Sequence, residues 1–311
     1  KTSKDKLILI SLLIILFPTF RSYSIWPDPH LLGTLFFIIS IYYYLKFTKN
    51  KNLFQNSLLN IFFLSLSAYC SPNFGMFAIF FFIKYFLKFK ISKEILLLAI
   101  FNIFLSLPFF YYVFIFKINF LFSAAGWDIG ENFYSITNIS NKIIIIISLL
   151  FFYLLPFFLS KDLKFNFVNI KKIKKEFIVY FFIFFVSCYF FDFSYTYKLT
   201  NSGGGFIYNL SNIILSNNYI LFTICFFTCF YLFKIFKADK NNLMLFIILI
   251  LSNPQITIWQ ANLSPTIYFL ILLLFNIRLK KDLTEIKTIY FNYIYFSLYL
   301  VSGITYKILI N

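Results

Sequence analysis

The sequence predicts an all-α fold: a polytopic helical membrane protein with about 11 transmembrane helices in one domain, residues 1–311. Three observations predict it. The chain is 61% hydrophobic and only 13% charged, with a mean hydropathy of +0.83, whereas a soluble domain is about 45–50% apolar and about 25% charged. Its apolar runs are long and unbroken, unlike the alternating strands of a membrane barrel. Its basic residues are concentrated in alternate connections.

The apolar runs give the individual helices. About 20 apolar residues cross a bilayer as a helix, and short polar connections separate the runs here. The expected helices cover residues 7–20, 31–47, 53–69, 76–88, 95–116, 142–160, 177–193, 219–236, 243–252, 266–277 and 288–310.

Lysine and arginine set the orientation. One set of alternate connections holds 23 of the 28 basic residues, and the other holds 5. Because loops rich in Lys and Arg stay in the cytoplasm, the first set is expected inside, together with the N-terminus of this chain. The inner set comprises residues 1–6, 46–52, 84–94, 161–176, 234–242 and 278–287, and the outer basic residues are Arg21, Lys117, Lys142, Lys198 and Lys307.

Composition suggests the cellular location. The heavy use of Phe, Ile, Asn, Lys and Tyr is typical of an AT-rich genome, and with the short loops it favours a bacterial inner membrane. The net charge of +17 is explained by the inner loops, so no nucleic-acid partner is expected. The first apolar run lacks a small-residue cleavage site, so no signal peptide is expected. Residue 1 is Lys and not Met. We therefore expect a fragment whose N-terminal part is missing.

Unusual residues gather in the long outer connections, 18–30, 117–141, 194–218 and 253–265. All three Trp and the single His lie there. Loops held by a rigid scaffold commonly carry function, so the outer face is the expected site. Trp also marks the membrane interface, which is the structural alternative.

The first outer connection places Arg21, Asp28 and His30 within ten residues. Prolines on both sides of Asp28 favour a fixed extended turn. Arg binds phosphate in bidentate fashion, and His binds phosphate or moves a proton. Alternatively, Asp28 caps the helix that follows it.

The second and third outer connections add further candidates. Asp128 and Glu131 form a carboxylate pair that could act as acid and base or hold a divalent metal, with a solvated loop as the alternative. Lys198 precedes Gly203-Gly204-Gly205, where backbone N–H groups could cradle a phosphate; a flexible turn is the alternative. The four cysteines predict no zinc site and no disulfide framework.

The fourth outer connection, residues 253–265, mixes amides with an indole. Gln255, Trp259 and Gln260 are of the types that hydrogen-bond and stack on a sugar ring, although they are also ordinary interface residues.

Two of these segments carry a family resemblance. The stretch Arg21-Ser-Tyr-Ser-Ile-Trp-Pro-Asp28-Pro-His30, followed by the helix through Lys46, resembles the repeated helix pairs of the GT-C superfamily. The segment Asn253-Pro-Gln255 to Pro265 is also similar. GT-C enzymes are multi-span glycosyltransferases that use a polyprenyl-phosphate-linked sugar.

The resemblance implies a hexosyltransferase of the cell envelope. It would move a sugar from the lipid-linked donor to a glycan, lipid or protein acceptor at the extracytoplasmic face. Asp28, Asp128 and Glu131 would be the acids, and Arg21, His30, Lys198, Gln255, Trp259 and Gln260 the substrate-binding residues. No cofactor is expected, although a divalent metal is possible. The family's principal acid lies in a first large outer loop, which is expected in the missing start.

Two other classes compete with an enzyme. A transporter or lipid-linked oligosaccharide flippase would place ionisable residues inside its spans, and none stands at mid-span here. A structural or assembly subunit is the third class. An enzyme should gather Arg21, Asp28, Asp128 and Lys198 around one outer cavity, whereas a carrier should show a polar path through the midplane.

Overall fold

Helices account for nearly all of the described chain, as its apolar runs predict. The computed structural model describes residues 2–17, 20–21, 25, 28–115, 139–159, 203–235, 239–253, 258, 260–277 and 285–310, and no strand occurs among them. Within these ranges the α-helices are α1 Thr2–Leu12, α2 Pro29–Thr48, α3 Leu53–Cys70, α4 Phe77–Phe89, α5 Lys93–Ile115, α6 Ile139–Leu159, α7 Phe206–Leu215, α8 Tyr219–Ile235, α9 Lys240–Leu251, α10 Gln260–Leu273 and α11 Ile286–Ile310. The all-α prediction is confirmed.

Three described helical segments are long and apolar enough to cross a membrane: Pro29–Thr48, Leu53–Cys70 and Lys93–Tyr111. Several other apolar helices of 10–17 residues occur in the described part. The predicted total of about 11 spans stays a prediction, and the run at 177–193 lies outside the described residues.

The chain divides into two compact units, and the single domain predicted from sequence stays a prediction. The first unit comprises Lys1–Ile25, Asn138–Asn242 and Thr257–Asn311. The second comprises Trp26–Thr137 and Leu243–Ile256.

In the second unit, α2 and α3 form a tight antiparallel pair. Left-handed backbone at Asn50 (φ 57°) and Asn52 (φ 37°) turns the chain between them. Gly33 lets the helices approach closely, because a Cβ there would lie 3.1 Å from the Cβ of Cys70. Ser67 Oγ donates to Gly33 O at 2.6 Å. Small residues and interhelical hydrogen bonds of this kind hold membrane helices together.

In the first unit, α6 is the central helix. It is buried on every side from Ile144 to Phe157 apart from a few partly exposed positions, as expected for a helix that is apolar all round. It contacts α7, α8, α10 and α11. The ring of Tyr153, on this helix, packs in one cluster with the rings of Phe17, Tyr268 and Phe296.

The first helix is shorter than the run 7–20 predicts. α1 ends at Leu12 and tightens into a 3₁₀ helix over Leu13–Leu16. The hydroxyl groups of Tyr268 and Tyr293 donate to the carbonyl oxygens of Ile10 and Leu9, at 2.9 and 2.8 Å. These side chains bond carbonyl groups at the point where the helix changes its hydrogen-bonding pattern.

Candidate functional site

Asp28 caps helix α2 in the second unit. Its backbone is extended (φ −100°, ψ 120°), and Pro29 occupies the first helical position. The Oδ1 atom accepts a hydrogen bond from the backbone N–H of His30 at 2.7 Å. The cap interpretation is confirmed, and it fixes the carboxylate at a helix N-terminus, where negative charge is favoured.

The imidazole of His30 is held from two sides. Its Nδ1 lies 3.0 Å from Ser71 Oγ. Its ring stacks on Phe74, with centroids 5.4 Å apart and an interplanar angle of 25°. Ser71 is buried and follows the last residue of α3. Its hydrogen bond and the stacking together restrict the orientation of the ring.

The sequence reasoning missed Ser71. The signal available was a serine directly before a proline at the end of a predicted span, on the same side as His30. We name Asp28, His30, Ser71 and Phe74 the histidine cluster. It contains a carboxylate, an imidazole and a hydroxyl, which are groups that move protons and bind phosphate.

Gly203-Gly204-Gly205 forms a fixed turn in the first unit. All three residues have positive φ (59°, 72° and 89°), a conformation that glycine adopts without steric cost. The N–H of Gly204 donates to Ile258 O at 2.7 Å. The segment is a turn, as the structural alternative expected, and it leads into α7; its flexibility and the phosphate-binding role stay predictions.

Gln260 joins this turn to the core. Its Oε1 accepts from the backbone N–H of Phe206 at 2.7 Å, and its Nε2 donates to Tyr153 OH at 3.2 Å. Tyr153 also hydrogen-bonds Ser264. Gln260 is only 8% exposed, so both ends of its amide bond protein groups. The structure thus brings together the third and fourth of the connections expected outside, through residues that lie far apart in the sequence.

Arg21 lies in the first unit and is exposed. Its backbone N–H donates to Phe17 O at 3.2 Å, and Phe17 is buried among Tyr153, Tyr268 and Phe296. The aromatic cluster therefore anchors the chain one turn before Arg21.

The other candidates lie outside the described residues: Asp128, Glu131, Lys198, Gln255 and Trp259. Their roles, and the gathering of Arg21, Asp28, Asp128 and Lys198 around one cavity, stay predictions. Among the residues that the structure describes, no group of three or more His, Cys, Asp or Glu could hold a metal ion.

A second polar cluster was not anticipated. The side-chain amide of Asn242 bonds both backbone groups of Asn276, as the backbone of a neighbouring strand would. Its Oδ1 accepts from Asn276 N at 2.8 Å and its Nδ2 donates to Asn276 O at 3.0 Å. Asp239 Oδ2 accepts from Asn276 Nδ2 at 3.3 Å. These contacts join the start of α9 to the chain just after α10, so an expected inner connection carries specific structure.

Substitution of Asp28 by Asn or by Ala separates its role as a helix cap from the role of its negative charge. Asn caps helices about as well as Asp, so Asp28→Asn should retain stability, whereas Asp28→Ala should lower the free energy of unfolding by about 1 kcal/mol. Equilibrium unfolding in mixed detergent micelles measures both. Equal losses in the two variants would contradict the cap.

Comparison of the chain with known proteins finds no matching family model, no matching curated protein and no matching solved structure.

Proposed function

We propose that the chain is an integral membrane protein of a bacterial inner membrane, with its N-terminus in the cytoplasm. The three long apolar helices and the 23-to-5 division of basic residues between alternate connections support this proposal. In this orientation the histidine cluster and the Gly203–Gly205 turn belong to extracytoplasmic connections.

The proposed activity is that of a GT-C-type glycosyltransferase. It moves a sugar from a polyprenyl-phosphate donor to a glycan, lipid or protein acceptor at the extracytoplasmic face. The observation that carries the proposal is the histidine cluster, in which the ring of His30 is held by Ser71 at 3.0 Å and by Phe74, and the carboxylate of Asp28 accepts from the backbone N–H of His30. An imidazole held in one orientation by a hydroxyl group and an aromatic ring suits proton transfer and phosphate binding.

The chemistry follows from the charge that develops during transfer. The acceptor hydroxyl loses a proton to a carboxylate, its oxygen bonds the sugar carbon, and the sugar–phosphate bond breaks toward the lipid phosphate. Cations stabilise the departing phosphate, and Arg21, His30 and Lys198 are the proposed ones. Asp28 shapes the site, while Asp128 and Glu131 are candidate acids. No cofactor is proposed, and a divalent metal would be held by the two latter acids.

Proteoliposomes test this activity. Purified chain is supplied with a labelled polyprenyl-phosphate-linked hexose and candidate acceptors, and release of polyprenyl phosphate is measured together with labelled acceptor. We expect His30→Gln to slow transfer at least about 100-fold, the scale of losing one group that stabilises the charge on the departing phosphate. Asp28→Asn, which keeps the cap, reports whether the carboxylate itself contributes.

The matched control is Ser65→Ala on α3, because Ser65 Oγ donates only within its own helix, to Ile61 O at 3.0 Å. It should leave the rate unchanged. The enzyme proposal would be overturned if neither this chain nor the protein read from the complete reading frame releases polyprenyl phosphate from any hexose donor.

A transporter or lipid-linked oligosaccharide flippase is the second candidate, and one observation favours it. Asn60 lies fully buried near the middle of α3, where its Nδ2 donates to Ser40 Oγ and Ser40 O, both at 2.8 Å. Its Oδ1 has no hydrogen-bond partner. Translocation of a labelled lipid-linked sugar across the proteoliposome membrane, without release of polyprenyl phosphate, would support this candidate.

A further inference from the structure

Lysines crowd one end of the second unit. The connection between α2 and α3 and the connection between α4 and α5 carry them, together with the ends of the adjoining helices. Five of these side chains are exposed, and we name them the lysine patch: Lys49, Lys51, Lys88, Lys90 and Lys93.

Aromatic contacts bring the two connections together. The ring of Phe47, near the end of α2, lies 4.8 Å from Tyr85 and 5.8 Å from Phe89 on α4. Phe47 and Tyr85 are buried, so the C-terminal ends of the two helices pack side by side. Both lysine-bearing connections therefore lie at the same end of this unit.

The positive charge of the patch has little internal compensation. Glu94 is the single acidic residue between positions 46 and 94. Helix dipoles favour cations at C-terminal ends, which accounts for Lys88. Lys51 stands two residues before α3, where the dipole disfavours a cation, and Lys93 begins α5 with Glu94 as its acidic neighbour. An external anion would offset this repulsion.

Apolar side chains beside the lysine patch indicate the kind of anion that it binds. Ile91 is 92% exposed between Lys90 and Ser92, and Leu87 is 67% exposed beside Lys88. Lys46 Nζ lies 4.5 Å from the ring centroid of Tyr42. Exposed aliphatic groups among cations and aromatic rings suit the boundary between lipid headgroups and acyl chains. A nucleic acid would leave Ile91 and Leu87 in water, and an acidic protein segment would have to bring apolar side chains of its own to both, whereas acyl chains lie directly below the headgroups.

We infer that the lysine patch binds the phosphate headgroups of anionic lipids in the leaflet at this end of α2–α5. Clusters of four to eight basic residues just beyond membrane helices have the charge for such binding. The inference rests on the membrane-protein part of the proposed function and not on sugar transfer.

The test titrates purified full chain in neutral detergent micelles with phosphatidylglycerol, and with phosphatidylcholine as the uncharged comparison. Native mass spectrometry counts bound lipids and gives Kd. Each lysine near an anionic surface contributes a factor of about five. K49Q/K90Q/K93Q is therefore expected to raise Kd for phosphatidylglycerol at least about tenfold.

The matched control is K6Q/K240Q/K287Q, which removes the same charge from expected inner positions of the first unit. It should change Kd much less, and Ile91→Gln should weaken binding without changing charge. Equal weakening in both triple variants, no preference for phosphatidylglycerol, or displacement by inorganic phosphate or an oligonucleotide would overturn the inference. Carbonate extraction of the variants from membranes checks insertion separately, and the polyprenyl-phosphate assay reads sugar transfer independently.

Discussion

Gly205→Ala is expected to lower the free energy of unfolding by about 3 kcal/mol, because backbone strain and overpacking add. The backbone of Gly205 (φ 89°, ψ 174°) lies in a region that is essentially restricted to glycine. A Cβ there would also lie 2.7 Å from Leu149 Cδ2 and 3.2 Å from Gln260 Oε1. Leu149, on α6, and Gln260 are both buried, so their side chains have little room to move.

Equilibrium unfolding in mixed micelles, followed by far-ultraviolet circular dichroism, measures this loss. Gly75→Ala is the matched control, because the Cβ would lie 3.5 Å from Ala68 Cβ, an ordinary van der Waals contact. Similar unfolding curves for the two variants would contradict the tight turn.

Gln260→Leu is expected to lower the free energy of unfolding by about 2–3 kcal/mol. Leucine fills the space but leaves the Phe206 N–H, at the first residue of α7, without its acceptor. It also removes the donor to Tyr153 OH, which is fully buried. Gln260→Glu keeps an acceptor for the Phe206 N–H. We therefore expect the amides of α7 to exchange hydrogen more slowly in Gln260→Glu than in Gln260→Leu.

Gln55→Leu provides the control for this substitution. Gln55 is exposed on α3, so the same change there should alter the unfolding free energy by less than about 0.5 kcal/mol. Unchanged hydrogen exchange at Phe206 in Gln260→Leu would contradict the bridging role of Gln260.

The local pattern of apolar residues predicted the long helices well. It failed where contacts with residues far away in the sequence determine where a helix forms or begins. The run at 53–69 becomes α3, residues 53–70. Helix α7 was missed, because Asn209, Ser211 and Asn212 interrupt a short apolar run. Ser211 Oγ donates to Asn217 O and accepts from Leu221 N, so these polar residues bond the turn that follows.

The start of α10 shows a second limit. The apolar run predicts a helix that begins at 266, but α10 begins at Gln260 and contains Pro265. The first turn is held by Ser264 Oγ, which donates to Gln260 O at 2.8 Å, and by the contacts of Gln260 with Phe206 and Tyr153. Phe206 and Tyr153 are far away in sequence, so no local window contains that information.

In the candidate site, too, one feature was predictable from the local sequence and another was not. The cap role of Asp28 was predictable, because the residue precedes Pro29 and an apolar run. The contact between His30 and Ser71 joins residues 41 positions apart. It depends on the pairing of α2 with α3, which brings the start of one helix to the end of the other.

The close pairing of α2 with α3 has a consequence for biosynthesis. If α3 entered the membrane by itself, the side-chain amide of Asn60 would lie in the hydrocarbon without a hydrogen-bond partner. Its bonds to Ser40 are made within a helical hairpin whose connection is only residues 49–52. In a membrane-inserted chain, the two helices would leave the translocon as one hairpin with these hydrogen bonds already formed. The polar residue in the second helix would then depend on the first for its entry into the bilayer.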